Sequence, residues 1–292
     1  MAVIQTNQLD LFIASATDVS PKNHQDLMAR CWFNLSKKKR TTPIEHKFNE
    51  SWVKISADEK YGIATIFDND ILIFTIAQLM AAVNSKKDTG RRFQFTGYEY
   101  LKFIGRKHTG GKAYKDIWSS LERLHHTFVE TNIRMGTSKR SHSFNWLSEI
   151  KQLEDNGTHR GYEIVIPEWL YSSVVNDKMV LTLDGNYFSI KGGLERWLYL
   201  FARKSAGRQL NGWNENIKLI YEKSGSTGSW SEFNRSIKKI LLDNKLLGYT
   251  LSTTAWNKET AIHFMNRKLT IDGKTAIRRT NGAKQFRNVR EN

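Results

Sequence analysis

The chain has 292 residues with 45 Lys and Arg against 29 Asp and Glu, and its formal net charge is +16. This length predicts about two domains, each large enough for its own hydrophobic core. Such a basic balance favours an anionic polymer as partner, either nucleic acid or an acidic membrane surface. No run approaches the roughly 18 apolar residues that span a bilayer, which makes nucleic acid the favoured partner.

A single cysteine, Cys31, excludes an internal disulfide and fits a reducing cytosol, so we expect a cytoplasmic protein. Enzyme signals are poor. The glycines before Lys112 resemble a damaged phosphate loop, because Ala113 stands where a magnesium-binding hydroxyl is needed. The chain has no cysteine pair, no His-Glu-x-x-His and no His-x-His. We therefore expect no catalytic residues, no metal and no cofactor.

Residues 1–42 are predicted to be a flexible arm. The arm contains a short peptide with apolar anchors, made of Gln8, Leu9, Asp10, Leu11 and Phe12. This peptide resembles the one by which bacterial proteins bind the sliding clamp of the replicative polymerase. The alternative is that it forms the first strand or helix of the fold. The basic run at 37–40 indicates either a solvated linker or an arm that contacts phosphate.

From Pro43 the chain becomes globular, and residues 43–171 are predicted to form a first domain. Apolar patterns predict a strand, a strongly apolar helix and a short strand at residues 61–67, 71–83 and 91–95. Asp68 and Asp70, which flank Asn69 before the helix, have turn and N-cap chemistry. The alternative for these two carboxylates is a pair of acids in a catalytic site.

Residues 98–128 indicate a short helix, a glycine-bearing turn and a longer helix. Three- and four-residue steps give the longer helix an apolar face of Tyr114, Ile117, Leu121, Leu124 and Phe128. The opposite face carries Lys112, Lys115, Ser119 and Arg123. This is the layout of a helix-turn-helix whose second helix lies in a DNA groove. The alternative is an ordinary amphipathic helix with a solvated basic face.

A hairpin at 128–135 and 141–153 and a strand at 161–166 are predicted to follow. The connection within the hairpin carries Lys139 and Arg140, two cations that would lie along a DNA backbone. Helices, a helix-turn-helix and a hairpin with a basic tip together predict a winged helix.

Residues 172–272 repeat this order and predict a second domain. Its elements are short strands at 179–183 and 187–190, helices at 194–203, 217–223 and 230–242, and a hairpin at 249–254 and 262–269. The last helix has an apolar face of Trp230, Phe233, Ile237, Ile240 and Leu241. Its opposite face carries Ser231, Arg235, Lys238 and Lys239, and the hairpin tip carries Lys258.

The fold class predicted from these patterns is α+β, with two tandem winged-helix domains. Residues 273–292 are basic and poor in apolar side chains, and we expect a disordered tail. Lysines are expected to contact phosphate, and the arginines that we expect to contact guanine are Arg123 and Arg235.

Three separated segments resemble the initiator protein A family of bacterial plasmid replication. They are Ile66–Phe74 with Gln78 and Leu79, Leu198–Gly207 with Gln209 and Trp213, and Lys223–Ser226 with Phe233 and Ile237–Ile240. They occur in the same order, and the resemblance extends over about residues 43–265.

The resemblance implies tandem winged-helix domains that bind repeated sites in a plasmid origin and help to open the duplex. It implies that host replication proteins are recruited, among them the host initiator, the replicative helicase and the sliding clamp. It also implies a monomer that starts replication and a homodimer that represses it. We therefore expect a plasmid-associated replication initiator that also regulates itself. The alternative is a winged-helix transcriptional repressor without a replication role.

Overall fold

The computed structural model describes residues 11–14, 18–48, 50–107, 110–133, 142–256, 259–271 and 274–275. The helices are α1 (Asp26–Ala29), α2 (Asn69–Asn84), α3 (Gly97–Phe103), α4 (Gly111–His126), α5 (Glu168–Val175), α6 (Gly193–Ser205), α7 (Ile217–Ser224) and α8 (Trp230–Asp243). The first nine strands are β1 (Leu11–Ile13), β2 (Lys22–His24), β3 (Ile44–Phe48), β4 (Ser51–Ala57), β5 (Arg92–Phe95), β6 (Thr127–Thr131), β7 (His142–Asn145), β8 (Glu149–Asp155) and β9 (Thr158–Val165). The remaining strands are β10 (Val180–Thr182), β11 (Trp213–Asn216), β12 (Tyr249–Trp256), β13 (Glu259–Asn266), β14 (Thr270–Ile271) and β15 (Lys274–Thr275).

The first unit corresponds to the predicted first domain, residues 43–171, and the second unit to residues 172–272. The first unit is built around α2, a helix that is apolar on all sides. Thirteen of its sixteen residues are buried, including Ile71, Leu72 and Phe74. A helix with this pattern must be enclosed by other elements, because it has no face that prefers water. The ring of Phe74 meets those of Phe93 and Tyr100 edge-on at 5.8 and 5.7 Å, which packs α2 against β5 and α3.

In the first unit α2, β5, α3, α4, β8 and β9 follow one another in this order, with β6 and β7 inserted between α4 and β8. Strands β5, β9 and β8 form an antiparallel sheet in the order β5-β9-β8. The short strand β1 adds to this sheet, parallel to β5. Thr96 and Glu99 form a reciprocal capping box that starts α3.

The second unit has the same order, with α6, β11, α7, α8, β12 and β13. Its antiparallel sheet has the order β11-β13-β12, so the last strand of the unit is again the central one. Gly225 ends α7 in the left-handed conformation (φ 62°), and Ser229 with Glu232 forms the capping box of α8. The two units therefore share one topology.

An additional sheet in the first unit has the order β3-β4-β6-β7. The prediction of one hairpin at 128–135 and 141–153 is corrected by this sheet. The second predicted strand is two strands, β7 and β8, of which β7 pairs with β6 and β8 pairs with β9 in the other sheet. The hairpin that corresponds in topology to β12–β13 is therefore β8–β9. Its turn contains Asn156 and Gly157, both with positive φ (49° and 73°).

In the described part of the predicted arm, residues 11–14 and 18–42, the structure does not agree with a flexible arm. Strand β2 pairs with β10 of the second unit, and Leu27 and Met28 of α1 are buried. Phe33 is also buried and stacks on Trp146 at 4.8 Å. The segment joins the two units through irregular backbone and isolated apolar anchors. Such anchors have no helical or strand period, which is why the sequence pattern did not indicate structure there.

Two other predicted elements differ. Residues 61–67 form turns with one isolated bridge, between Asn34 and Thr65, instead of a strand. Residues predicted as a strand at 187–190 lie mostly in a 3-10 turn, Gly185–Ser189. Of the predicted tail at 273–292, only β15 belongs to the described residues. No helix in the described ranges combines the length and the apolar character needed to cross a bilayer.

Candidate nucleic-acid interface

Helix α8 presents a continuous cationic face to solvent. Phe233, Ile237 and Ile240 are buried against the second unit, as the three- and four-residue spacing predicts. The opposite side exposes all four of its predicted DNA-contacting residues, which are Ser231, Arg235, Lys238 and Lys239.

Arg235 is the residue of this face with the most specific hydrogen-bonding geometry. It makes no hydrogen bond or ion pair with any described residue, so its planar guanidinium is available to an external acceptor pair. Glu232, one helical turn earlier, has its pKa lowered by hydrogen bonds from Ser229 and by the charge of Arg235. That carboxylate is thus engaged in the helix cap.

Helix α4 has a similar but less complete face. Lys112 and Lys115 are exposed and Ser119 is half-buried, whereas Ile117 and Leu121 are in the core. Phe128 does not belong to the apolar face that the sequence predicted. The helix ends at His126, and Phe128 lies in β6 with 38% of its surface exposed.

Arg123 is engaged within the protein and is not available as the guanine contact that the sequence suggested. Its Nε donates to Asp68 Oδ2 at 2.8 Å and its Nη2 to Asp68 Oδ1 at 2.7 Å. Asp68 also accepts from the backbone N–H of Thr65 at 2.7 Å. Its side chain is only 2% exposed. A bidentate ion pair of this kind is strong. Breaking it is costly, because it leaves a buried carboxylate without a partner.

A second buried pair joins the two units. Arg196 Nη1 donates to both carboxylate oxygens of Asp70, at 2.7 and 2.8 Å. The remaining guanidinium donors reach the carbonyl oxygens of Ile190 at 2.8 Å and Phe188 at 3.1 Å. Burial raises the pKa of Asp70 to about 6 in spite of the neighbouring guanidinium. Asp68 and Asp70 thus serve ion pairs, which the sequence pattern did not indicate.

The predicted cations at the hairpin tips lie outside the described residues. These are Lys139 and Arg140 in the β6–β7 connection and Lys258 between β12 and β13. In the β8–β9 hairpin Arg160 is exposed, and its guanidinium pairs with Asp155 at 3.1 Å. Trp256, the last residue of β12, is 49% exposed.

The predicted clamp-binding peptide is only partly described. Gln8, Leu9 and Asp10 lie outside the described residues, whereas Leu11 and Phe12 belong to β1. The ring of Phe12 stacks on Phe93 at 5.5 Å and is 6% exposed. Moving Phe12 into another protein's pocket would first cost about 1.5–3 kcal/mol of lost burial. The structure therefore gives Phe12 a place in the core of the first unit.

Comparison with known proteins identifies the family of the chain. The model of the family described as "Replication initiator protein A" matches residues 22–251. The chain belongs to the replication initiator protein A family. A protein of Wigglesworthia glossinidia brevipalpis, named "Putative replication protein", is 34% identical over 205 residues, covering 68% of this chain and 72% of the relative. The resemblance seen in the three sequence segments is confirmed.

Two solved structures share the fold of this initiator. A crystal structure of selenomethionine derivatives of domains 2 and 3 of RctB superposes with a TM-score of 0.59 at 12% identity, over 82% of this chain and 97% of RctB's. A second crystal structure of RctB domains 2–3 superposes with a TM-score of 0.50 at 13% identity. This superposition covers 80% of this chain and 93% of the RctB chain. The likeness spans both units of the mixed α+β chain. Within the described ranges no cluster of three or more His, Cys, Asp or Glu side chains could hold a metal ion.

Proposed function

We propose that this replication initiator binds repeated sites in its origin through two winged helices, with α4 and α8 as the reading helices. The second unit has the helix-strand-helix-helix-strand-strand order expected of a winged helix, and the first unit has the same order with β6 and β7 inserted before its last two strands. The last two strands of each unit would be the wing. The observation that carries the proposal is the exposed face of α8. Among the described residues, none of its cations Arg235, Lys238 and Lys239 has a carboxylate partner.

The roles within α8 follow from side-chain chemistry. The guanidinium of Arg235 can donate two parallel hydrogen bonds to O6 and N7 of a guanine in the major groove. Lys238 and Lys239 carry compact, flexible charges that suit phosphate oxygens. Ser231 lies in the first turn, where a hydroxyl and free backbone N–H groups suit a phosphate.

Helix α4 would contact mainly the phosphate backbone of the DNA and few of its bases. Its exposed face holds Lys112 and Lys115, and Arg123 is withdrawn into the pair with Asp68. We therefore assign sequence selectivity chiefly to α8 and positioning chiefly to α4. In the first unit the wing is β8–β9, with Arg160 beside its turn, and the β6–β7 connection becomes an additional basic segment.

The contacts between the two units would determine the spacing of the DNA sites that the protein binds. Strand pairing of β2 with β10 and the Asp70–Arg196 pair connect the units through buried contacts. Two reading helices held in this way select DNA sites with one spacing. Binding to the repeats would place several initiators side by side at the origin. These initiators would help to open the duplex and would recruit the host initiator, helicase and clamp. A dimer would repress replication.

Footprinting on DNA flanking the gene tests the proposal. At about 0.15 M salt, where non-specific electrostatic binding is weakened, we expect regularly phased protection over direct repeats. An Arg235→Ala variant should lose that protection before it loses binding to random DNA. Protection of only one inverted repeat over a promoter would favour the transcriptional repressor. The absence of any discrete footprint would contradict sequence-specific binding altogether.

The repressor alternative is separated by a replication assay. A plasmid that carries the repeats but lacks the gene is supplied with wild-type protein or with Arg235→Ala in the same cell. Replication that depends on wild-type protein is expected of an initiator. Repression without replication would leave only the alternative.

A further inference from the structure

A cleft of about 600 Å³ opens where the two units meet. Its walls come from α3 and α4, from the residues before α2, from the loop at 36–40 and from the segment at 188–191. Both units contribute side chains, and Ser119 and Ser120 of α4 form part of one wall. This volume lies within the range of ligand sites, about 300–1,000 Å³.

The cleft carries an excess of positive charge. Six cationic side chains line it against three carboxylates. Each carboxylate has an arginine partner, since Asp68 binds Arg123, Asp70 binds Arg196 and Asp116 lies 3.4 Å from Arg106. The three remaining cations are Lys37, Lys39 and Lys191, and none of them has a carboxylate partner among the described residues. A concave wall whose net charge is positive concentrates its field on the space inside and attracts anions.

The loop that carries two of these lysines is held in place. The side chain of Asn34, which is buried, donates to the carbonyl of Lys38 at 2.8 Å and accepts from the N–H of Ser36 at 3.1 Å. Arg40 donates to the carbonyl oxygens of Thr42 and Pro43 at 2.8 and 2.9 Å. The basic run is therefore a preorganised loop in this structure, and it does not behave as a solvated linker.

Two of the aromatic rings that line the cleft, those of Phe67 and Tyr61, are covered by the protein's own cations and imidazole. Lys37 Nζ lies 4.6 Å from the centre of the Phe67 ring, and the Arg196 guanidinium lies 4.5 Å from it. The Tyr61 ring is stacked on His126 at 4.0 Å. These rings position charged groups and leave little face on which a planar base could stack. The chemistry that fits is therefore an anion and not a base.

We propose that this cleft is a phosphate-binding site, with Lys37, Lys39 and Lys191 as the groups that neutralise the ligand. Ammonium groups act as point charges on phosphate oxygens, and the half-buried hydroxyl of Ser119 can donate a further hydrogen bond. The phosphate can belong to a DNA strand seated on α4 or to a free phosphate compound. The first source rests on the proposed function, and the second does not.

A triple variant tests the site, with Lys37→Gln, Lys39→Gln and Lys191→Gln. The matched control changes three other exposed lysines, with Lys86→Gln, Lys87→Gln and Lys178→Gln. Both variants lose the same charge, so a general electrostatic effect is the same in each. Calorimetry with inorganic pyrophosphate in the absence of DNA measures the free-ligand source. The salt dependence of binding to the origin repeats measures the DNA source.

The expected result is that the cleft variant differs from the control variant in at least one arm. For a DNA strand, the slope of log K against log salt should fall by about three in the cleft variant and stay near the wild-type value in the control. For a free compound, at least tenfold weaker pyrophosphate binding is expected in the cleft variant alone. Identical behaviour of the two variants in both arms would overturn the inference. Wild-type protein that binds pyrophosphate but no repeat would overturn the proposed function and leave the site standing.

Discussion

Asp70 and Arg196 are separated by 126 residues and form a buried ion pair, with Arg196 Nη1 at 2.7 Å from Asp70 Oδ1. The two side chains are only 7% and 5% exposed, and they connect the start of α2 with α6. The pair lies where the two units meet, and each unit carries one of the two helices, α4 and α8, that we propose to read DNA. The orientation of one unit on the other is thus set partly by a single electrostatic contact.

Removing one partner of this pair should destabilise the fold. Asp70→Ala leaves the Arg196 guanidinium buried without its carboxylate, and we expect a loss of about 3–5 kcal/mol in the free energy of unfolding. Urea denaturation measures the loss. The control is Asp116→Ala, which removes a carboxylate that is 51% exposed and paired with Arg106, and should change stability by about 0–1 kcal/mol. Equal effects of the two substitutions would show that the Asp70 contact does not hold the units together.

The pH dependence of stability should contain two opposed contributions. Burial lowers the pKa of His24 to about 4 from 6.5, so between these values only the unfolded state binds the proton. Stability from His24 is therefore lost as the pH falls from 6.5 to 4. Burial raises the pKa of Asp70 to about 6 from 3.8, so there the folded state binds the proton. Stability from protonated Asp70 is lost as the pH rises through 6.

Two variants separate these contributions. His24→Gln should flatten the rise of unfolding free energy with pH between 4.5 and 6, and Asp70→Asn should steepen it. Each change approaches about 1.4 kcal/mol per pH unit, the value for one proton. His46 is half-buried, and burial lowers its pKa to about 4. Its contribution to stability has the same sign as that of His24 and is present in both variants. Exposed His159→Gln is the control, and a slope shift as large in this variant would contradict the interpretation.

Arg235→Ala and Lys112→Ala should have different consequences for DNA binding. Loss of a guanidinium that contacts guanine is expected to cost about 1–3 kcal/mol on the repeat and to relax base preference at one position. Loss of Lys112 should weaken repeat and random DNA alike and reduce the salt slope by about one. Competition binding with a set of single-base repeat variants, at several salt concentrations, measures both effects. If Arg235→Ala binds the single-base repeat variants with the same relative affinities as the wild type, Arg235 does not contact a base.

Arg123→Ala should act on stability and not on base preference. The substitution leaves Asp68, whose side chain is 2% exposed, without its guanidinium partner. We expect about 3 kcal/mol of destabilisation, at the lower end for a buried pair because Arg123 itself is 29% exposed. Binding to the single-base repeat variants, measured well below the unfolding temperature, should keep the wild-type order. A changed order would restore Arg123 as a base contact.

Phe12→Ala and Leu11→Ala distinguish a core strand from a free arm. The Phe12 ring stacks on Phe93, and its removal should destabilise the first unit by about 3 kcal/mol. Leu11, which is 49% exposed, should change stability by no more than about 0.5 kcal/mol. Thermal unfolding checks both values. If neither variant differs from wild type, β1 contributes nothing to the fold and residues 8–12 are free for a clamp.

Local patterns in the sequence were sufficient to predict helices α4 and α8 and their buried and exposed faces. The spacing of Phe233, Ile237 and Ile240 places one side of α8 in the core, and the exposure of Arg235 and Lys238 follows from the geometry of a helix. The same reasoning predicted α2, α4, α6 and the β12–β13 hairpin. It worked because these features depend on residues within a few turns of one another.

The tertiary structure decided everything that depends on distant partners. Nothing near Arg123 in the sequence shows that Asp68, 55 residues away, will bind it. Nor does the sequence show that β8 joins β9 while β7 joins β6, since pairing is decided by which sheet edge each strand meets. The N-terminal segment was missed because its anchors have no period. The sequence by itself thus determined which faces are cationic and which are apolar, and long-range packing alone decided which cations remain free for a ligand.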